Sequence, residues 1–366
     1  MSCPARTGSR ARGPIPARYR TTTGALAVIG VVAALALTGC SSSGGAAASS
    51  GTGAGSGSGK KVNLAMFIVA TANAHQQAAV SGAKAAAAKA GNATVHVFGA
   101  NFDPKTQVNQ IQDATASGQY NAFLVDAVDG TVVVPAIEKA LAKGIKVACG
   151  FSICGTDQRS FSKQIPGVVA QINADYTFLG RAGANAIGKG CANINPCNAV
   201  YMDGTPTLAA DVLFTKGWYD TIAKYPNVKV VAKGAGEFVS QKASQAMKDI
   251  ITAHPDINAV GTVGEQMAVG IAQAIAGSSL ANKKVILVGD GASREAVKGI
   301  NAGTWYGSTL LRPYTEGNLG AADVIGAVRG VKPAKTLVNS ALDPAIPEGY
   351  ISKATVGSWK PEWSGN

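Results

Sequence analysis

The chain is poor in histidine, in aromatic residues and in paired cysteine motifs. Its three His stand at 75, 96 and 254, and it contains neither H-E-x-x-H nor G-x-S-x-G. Zinc-peptidase and serine-hydrolase chemistry therefore lack their parts. Six Cys occur, but no C-x-x-C: Cys149 and Cys154 are five apart, and Cys191 and Cys197 six apart. That spacing argues against thioredoxin-like or zinc chemistry. No cofactor and no metal are expected, and the chain is not read as an enzyme. Aromatics are only 6%, while Gly and Ala are abundant, which points to closely packed helices and tight turns. Acid is missing altogether from the first 39 residues, which hold five Arg, so the formal charge of +12 falls to +12 − 5 = +7 for the remainder. A basic balance can signal nucleic acid. A solvated surface is the better account here, because the chain opens with an export leader. No segment after Cys40 is long and apolar enough to span a membrane.

The leader comes first. Residues 1–24 are basic and irregular, and residues 25–37, ALAVIGVVAALAL, are an uncharged apolar run. The run is shorter than the ~20 residues a bilayer needs and fits a signal-peptide core of ~7–15. Leu37-Thr38-Gly39-Cys40 follows directly. This resembles a lipobox, the processing motif of bacterial lipoproteins. It implies that Cys40 is acylated and becomes the mature N-terminus; a plain secretory signal with a chance Cys is the alternative. Residues 41–59 are only Ser, Gly, Ala and Thr, the composition of a flexible coil with a reach of ~25 Å. Its glycines are not a nucleotide loop. It has no G-x-G-x-x-G, and Gly59-Lys60 is followed by Lys61 instead of Ser or Thr.

The globular part is organised around residues 253–275, AHPDINAVGTVGEQMAVGIAQAI. A short apolar run at 258–263 has the length of a buried strand. Gly264-Glu265-Gln266 is a polar turn, and Met267, Ile271 and Ile275 then recur at helical spacing. Strand–turn–helix steps of this kind repeat along the chain. Strands are expected at 62–70, 94–98, 122–125 and 145–149, with helices at 74–90, from 103 onward and at 132–143. Gly91 closes the first helix, and Asp103-Pro104 opens the second. After an irregular stretch at 150–168 the pattern restarts: helices at 178–189, 209–224, 240–253, 293–300 and 314–329, and strands at 199–202, 228–232, 285–288 and 306–311. Alternating strands and helices make an α/β chain with parallel sheets in two similar lobes. Ligands of such sheets bind at the carboxyl ends of the strands.

From about 61 to 340 the order and phrasing resemble a type I periplasmic binding protein. These are the ribose/galactose-type substrate-binding components of ABC importers. The matching phrases are the first strand and its loop at 67–77, the DP…Q…IQD…G segment at 103–118, TAHPDINAV at 252–260, EQMAVG at 265–270 and ILVGDG at 286–291. The resemblance implies two Rossmann-like lobes joined by three hinge crossings, near 173–175, 311–313 and 337–343. Residues 1–39 are then a lipoprotein signal peptide and 40–60 a tether. Residues 61–172 with 313–340 form the N-lobe, and 173–312 with 341–366 the C-lobe.

The family's site maps onto this chain only in part. Asp290 matches the aspartate of the family's VGFD phrase, and Glu265 the acid of its ND turn, whose asparagine is Gly264 here. The first loop, aromatic in the family, offers Asn73, His75, Gln76 and Gln77. The Asp-Arg pair that grips ribose is replaced near Phe151-Ser152, and an arginine of the family falls at Phe214. Asp126 follows a strand and is a ligand acceptor or a turn residue. Phe151 and Phe238 stack on a sugar face or pack in a core. Glu265 and Gln266 touch ligand or serve the helix N-terminus, and Arg312 touches ligand or makes an ion pair at a hinge crossing. Such departures argue against ribose itself, because a hydroxyl-binding site rejects ligands that leave its polar groups unpaired. A sugar or polyol is the expected ligand. The expected protein is a lipid-anchored, extracytoplasmic monomer that closes two lobes on its ligand and delivers it to an ABC permease. A ligand sensor signalling to a membrane partner and an envelope enzyme on the same fold are the alternatives. Cys149, Cys154, Cys191 and Cys197 allow three disulfide pairings, of which close spacing favours the local one.

Overall fold

The structure, a computed structural model, describes residues 59–206 and 208–365. The leader, the acylation expected at Cys40 and nearly all of the tether lie outside the described residues. In chain order the elements are β1 (Val62–Ile68), α1 (Ala74–Ala90), β2 (Ala93–Gly99), α2 (Pro104–Ser117), β3 (Ala122–Val125), α3 (Val134–Ala142), β4 (Lys146–Gly150) and β5 (Gln171–Asn173). Then come α4 (Tyr176–Gly190), β6 (Cys197–Asp203), α5 (Ala209–Ile222), β7 (Val228–Ala235), α6 (Ser240–Ala253), β8 (Ala259–Thr262) and α7 (Glu265–Ala276). The chain closes with β9 (Ile286–Gly291), α8 (Arg294–Ala302), β10 (Gly307–Leu310), α9 (Pro313–Val328), β11 (Leu337–Asn339) and β12 (Tyr350–Ser352).

Two six-stranded sheets result. The first runs β11-β5-β4-β3-β1-β2 and the second β12-β10-β9-β8-β6-β7, the same order built twice. All described pairings are parallel except that of β12 with β10. Strand residues alternate between faces, as a period of two requires. Leu64, Met66 and Leu124 pack toward α1 and α9, while Phe67, Phe123 and Val125 pack toward α2 and α3. The chain passes between sheets after β5, after β10 and after β11. In each sheet the strand order reverses beside the first strand, and that switch point opens a crevice at the carboxyl ends.

Local chemistry sets the helix ends that frame this crevice. Asn73 caps α1, and its side chain accepts from the N–H groups of His75 and Gln76. Asp103 caps α2 with Pro104 in the first turn. One helix pair in each lobe crosses on facing glycines. A Cβ at Gly317 of α9 would stand 2.0 Å from the Ala79 carbonyl of α1, and one at Gly82 2.0 Å from that of Tyr314. In α4 and α5, a Cβ at Gly180 would stand 2.1 Å from the Phe214 carbonyl, and one at Gly217 2.3 Å from that of Thr177. Bare glycine lets these backbones touch, which the Gly- and Ala-rich composition anticipates.

Candidate ligand-binding cleft

The first lobe contributes four strand-end loops, those after β1, β2, β3 and β4. After β1, Asn73 Oδ1 holds the α1 N-terminus and also accepts from Gln266 Nε2 of the other lobe, at 3.2 Å. Gln76, in the first turn of α1, donates to the Asp126 carboxylate at 2.7 Å. Asp126 stands one residue past β3, its N–H tied to the Phe67 carbonyl at 2.9 Å and its own carbonyl accepting from Gln107 at 2.7 Å. Burial away from any cation pushes its pKa up to about 8, which the Gln76 bond only partly offsets. His75 shows part of its surface to the cleft. Protein packed around its ring nevertheless disfavours the charged form and lowers its pKa to about 4. Its ring makes T-shaped contacts with the rings of Phe151, centroids 6.0 Å apart, and Trp363, 5.3 Å apart.

The second lobe answers with Asp290, Gln266 and apolar groups. Asp290 lies inside β9, because the strand runs on to Gly291. One of its oxygens accepts from the Thr309 hydroxyl, and the other is buried without a protein partner. Burial holds its pKa well above the carboxylate range. Tyr176, Leu208, Phe238, Val263 and Leu311 complete this side. Among the described residues the lining contains no lysine and no arginine. The cavity volume counted over water centres is ≈ 90 Å³; one water needs ~10–15 Å³ on that measure, so the cleft has room for a small molecule.

Three phenylalanines of the cleft have positive φ: Phe102 at 59°, Phe151 at 65° and Phe238 at 57°. A bulky residue in that region costs ~1–3 kcal/mol and persists only where its surroundings hold it. For Phe151 the holding device is covalent. Cys149 and Cys154 form a disulfide that closes the loop carrying Phe151 and Ser152 into the cleft. Cys191 and Cys197 form the other, so the pairing is the local one.

Of the residues expected at the site, Asn73, His75, Gln76, Asp126, Phe151, Phe238, Gln266 and Asp290 line this cleft. Three do not. Glu265 turns beneath the sheet, where it accepts from the Ser293 N–H at 2.8 Å and the Ser308 hydroxyl at 2.9 Å. Gly289 and Gly291 leave the room it fills, since a Cβ at either would meet its side chain. Phe214 is core, packed on Gly183 between α4 and α5. Arg312 pairs with Asp343 and lies over the Trp359 ring at 5.2 Å. Phe102, Tyr176 and Trp363 are lining residues that the motifs did not single out. Phe102 had a signal, since it repeats in the first lobe the place of Phe238. Trp363 had none, because no periodicity reaches the tail.

A family model described as "Periplasmic binding protein domain" matches residues 64–332. Among relatives, the ribose import binding protein of Bacillus subtilis is 23% identical over 244 residues, 66% of this chain and 74% of its own. The xylitol-binding protein of Mycolicibacterium smegmatis is 26% identical over 244 residues, 66% of each chain. An ABC transporter solute binding protein of Bacillus halodurans, solved with bound myo-inositol, superposes with TM-score 0.70 at 18% identity, over 82% of this chain and 98% of that one. A Mycobacterium smegmatis counterpart with bound glycerol gives 0.71 at 22%, over 83% and 99%. At such identity the superpositions speak for the fold alone.

Proposed function

The chain belongs to the periplasmic binding protein domain family, and from that premise we propose that it captures an uncharged sugar or polyol between its lobes and delivers it to an ABC permease. The observation that carries this is the chemistry of the cleft walls. Each lobe presents one buried carboxyl group, Asp126 or Asp290, among apolar and aromatic faces, and among the described residues no cation lines the space between. A carboxyl group accepts from a ligand hydroxyl through its oxygens and, when protonated, donates to one as well; the C–H faces of a sugar ring suit Phe and Trp. An acid or a phosphate would find no counter-charge and would meet the acceptors instead. Ligand that bridges the lobes adds contacts only when they are together, which shifts the population toward closure.

The lobes of this mechanism are 61–172 with 313–340, and 173–312 with 341–366. Family membership implies an extracytoplasmic location. Acylation of Cys40 is proposed to hold the protein at the membrane, with residues 41–59 as the tether and the protein acting as a monomer. The test is a thermal-shift screen of the purified chain against sugars, polyols, sugar acids, amino acids and nucleosides, followed by calorimetry. A ligand that binds only the folded state raises the midpoint. Neutral sugars or polyols should give the largest shifts. A screen in which only sugar acids or amino acids stabilise would overturn the proposal.

A further inference from the structure

We propose, on the basis of the capture function above, that the C-terminal tail is part of the ligand site and that Trp363 supplies the aromatic face missing from the loop after β1. The stretch that matches the family model ends at 332. Past it the chain forms β11 and β12, a 3₁₀ turn at Val356–Ser358, and then an irregular tail. That tail is held at several points. The Trp359 indole N–H donates to the Ala292 carbonyl at 2.6 Å, and that of Trp363 to the Gly291 carbonyl at 2.9 Å. The N–H groups of Arg294 and Glu295, at the start of α8, donate to the Trp363 and Ser364 carbonyls at 3.0 and 3.1 Å. Glu362 accepts from the Thr315 N–H of α9 at 2.9 Å and from the Thr315 hydroxyl. So the tail satisfies first-turn donors of two helices, one in the second lobe and one packed on the first sheet.

This anchoring fixes the Trp363 ring in the cleft wall. Trp363 is 2% exposed, and its ring stands perpendicular to that of His75, at 88°. Gly291 makes the seat, since a Cβ there would lie 2.4 Å from the ring. With the indole N–H taken by Gly291, what remains for a ligand is apolar ring surface in the same cleft that the unpartnered Asp290 oxygen lines. A polyhydroxylated ligand needs both: an acceptor for its hydroxyl and a flat apolar surface for its C–H face. The β1 loop offers Asn73, His75 and Gln76 and no Phe, Tyr or Trp, so the tail fills a chemical gap in the first lobe with a residue borrowed from the other end of the chain. Trp363 is thereby a specificity-determining residue: it selects ligands with an apolar face at that point.

The test uses the full chain and its Trp363→Ala and Trp363→Phe variants. D-ribose, xylitol, myo-inositol and D-allose are titrated by calorimetry, with tryptophan emission recorded in parallel. Trp363→Ala should weaken the best-bound member about tenfold, equivalent to ~1.4 kcal/mol, and flatten the ranking among the four. Trp363→Phe keeps a ring face and should stay within about threefold, while losing the ligand-induced emission change of the wild type. Unaltered affinity and ranking in Trp363→Ala would overturn the proposal. Equal losses in both variants, with a lowered ligand-free melting point, would also overturn it, since the ring would then be mere packing. If wild type binds an amino acid or nucleoside but none of the four, the sugar function fails, and the same comparison is made with that ligand. Hydrogen exchange checks the docking without any ligand: the Arg294 and Glu295 amides should be protected, and immediate exchange would overturn the tail's role.

Discussion

Phe102 and Phe238 stand at the same place in the two lobes. Each is the third residue past a second strand, β2 or β7, and each is preceded by a residue with φ near 50°. They pack with Val69, Ala100, Val128 and Leu208 in one apolar cluster at the cleft. The sheets share their strand order, and each lobe has one helix pair crossing on facing glycines. The carboxylates break this symmetry. Val125 of β3 pairs with Cys149 of β4, so the next rung sets Asp126 beside Gly150. Gly261 of β8 pairs with Val288 of β9, so two rungs on Val263 stands beside Asp290. The first lobe carries its acid after the third strand and glycine on the fourth; the second carries valine after the third and its acid on the fourth. The shared backbone makes strand-end slots, and side-chain choice decides which slot grips and which only covers.

The largest effect should come from the shared part. Gly317→Val in the first lobe and Gly180→Val in the second each drive a side chain into a backbone carbonyl. Each should cost about 3 kcal/mol, the upper end for overpacking, as read by urea denaturation. Equal losses would support one frame built twice, and a neutral substitution in either lobe would break the comparison there.

Next comes the unshared part. Asp290→Ala removes an acceptor whose second oxygen has no protein partner. Because burial holds Asp290 in its neutral form, the bond it makes is an ordinary one worth ~0.5–1.5 kcal/mol, so affinity for the sugar found by screening should fall roughly two- to tenfold. The ligand-free melting point should hold. Unchanged calorimetric affinity would remove Asp290 from the site, and a collapsed melting point would make its role structural.

The smallest effect is a slope. Asp126 has its pKa raised from 3.8 to about 8 by burial, so the folded protein keeps a proton that the unfolded chain gives up. That contribution is complete below the unfolded value and is lost as pH rises through the folded one. Glu316 at about 8, and Glu265 and Asp211 at about 7, act in the same sense. His75, lowered from 6.5 to about 4, opposes them only below 6.5. Between pH 6.5 and 8 the ligand-free melting point should therefore decline with rising pH. Asp126→Asn, which cannot ionise, should make that decline shallower. Parallel melting curves for variant and wild type would mean that Asp126 does not hold its proton.

Much of the frame was legible because its signals are local. The 240–253 helix forms as Ser240–Ala253, with Ala243, Met247 and Ile251 buried on one face, and Asp103, Pro104 and Gly91 do at the helix ends what their chemistry requires. β5, β11 and β12 are three residues each, too short for any period to show. The expected end of the strand at 288 fell short because Gly289, Asp290 and Gly291 look like a turn. Their backbone is nonetheless laddered to β10 from Val288 to Gly291.

What the sequence determined by itself was the alternation of strand and helix, and hence two parallel sheets with a crevice at their carboxyl ends. Spacing and capping act within a few residues, so they need no distant partner to be read. Which side chains face that crevice was decided only by tertiary structure. Glu265 and Gln266 are neighbours at one helix start, yet Gln266 reaches Asn73 across the cleft while Glu265 is drawn under the sheet by Ser293 and Ser308. Trp363 enters the wall from the far end of the chain because Gly291 leaves it room. Direction and company at a site depend on residues brought together from separate segments, and no local pattern encodes that meeting.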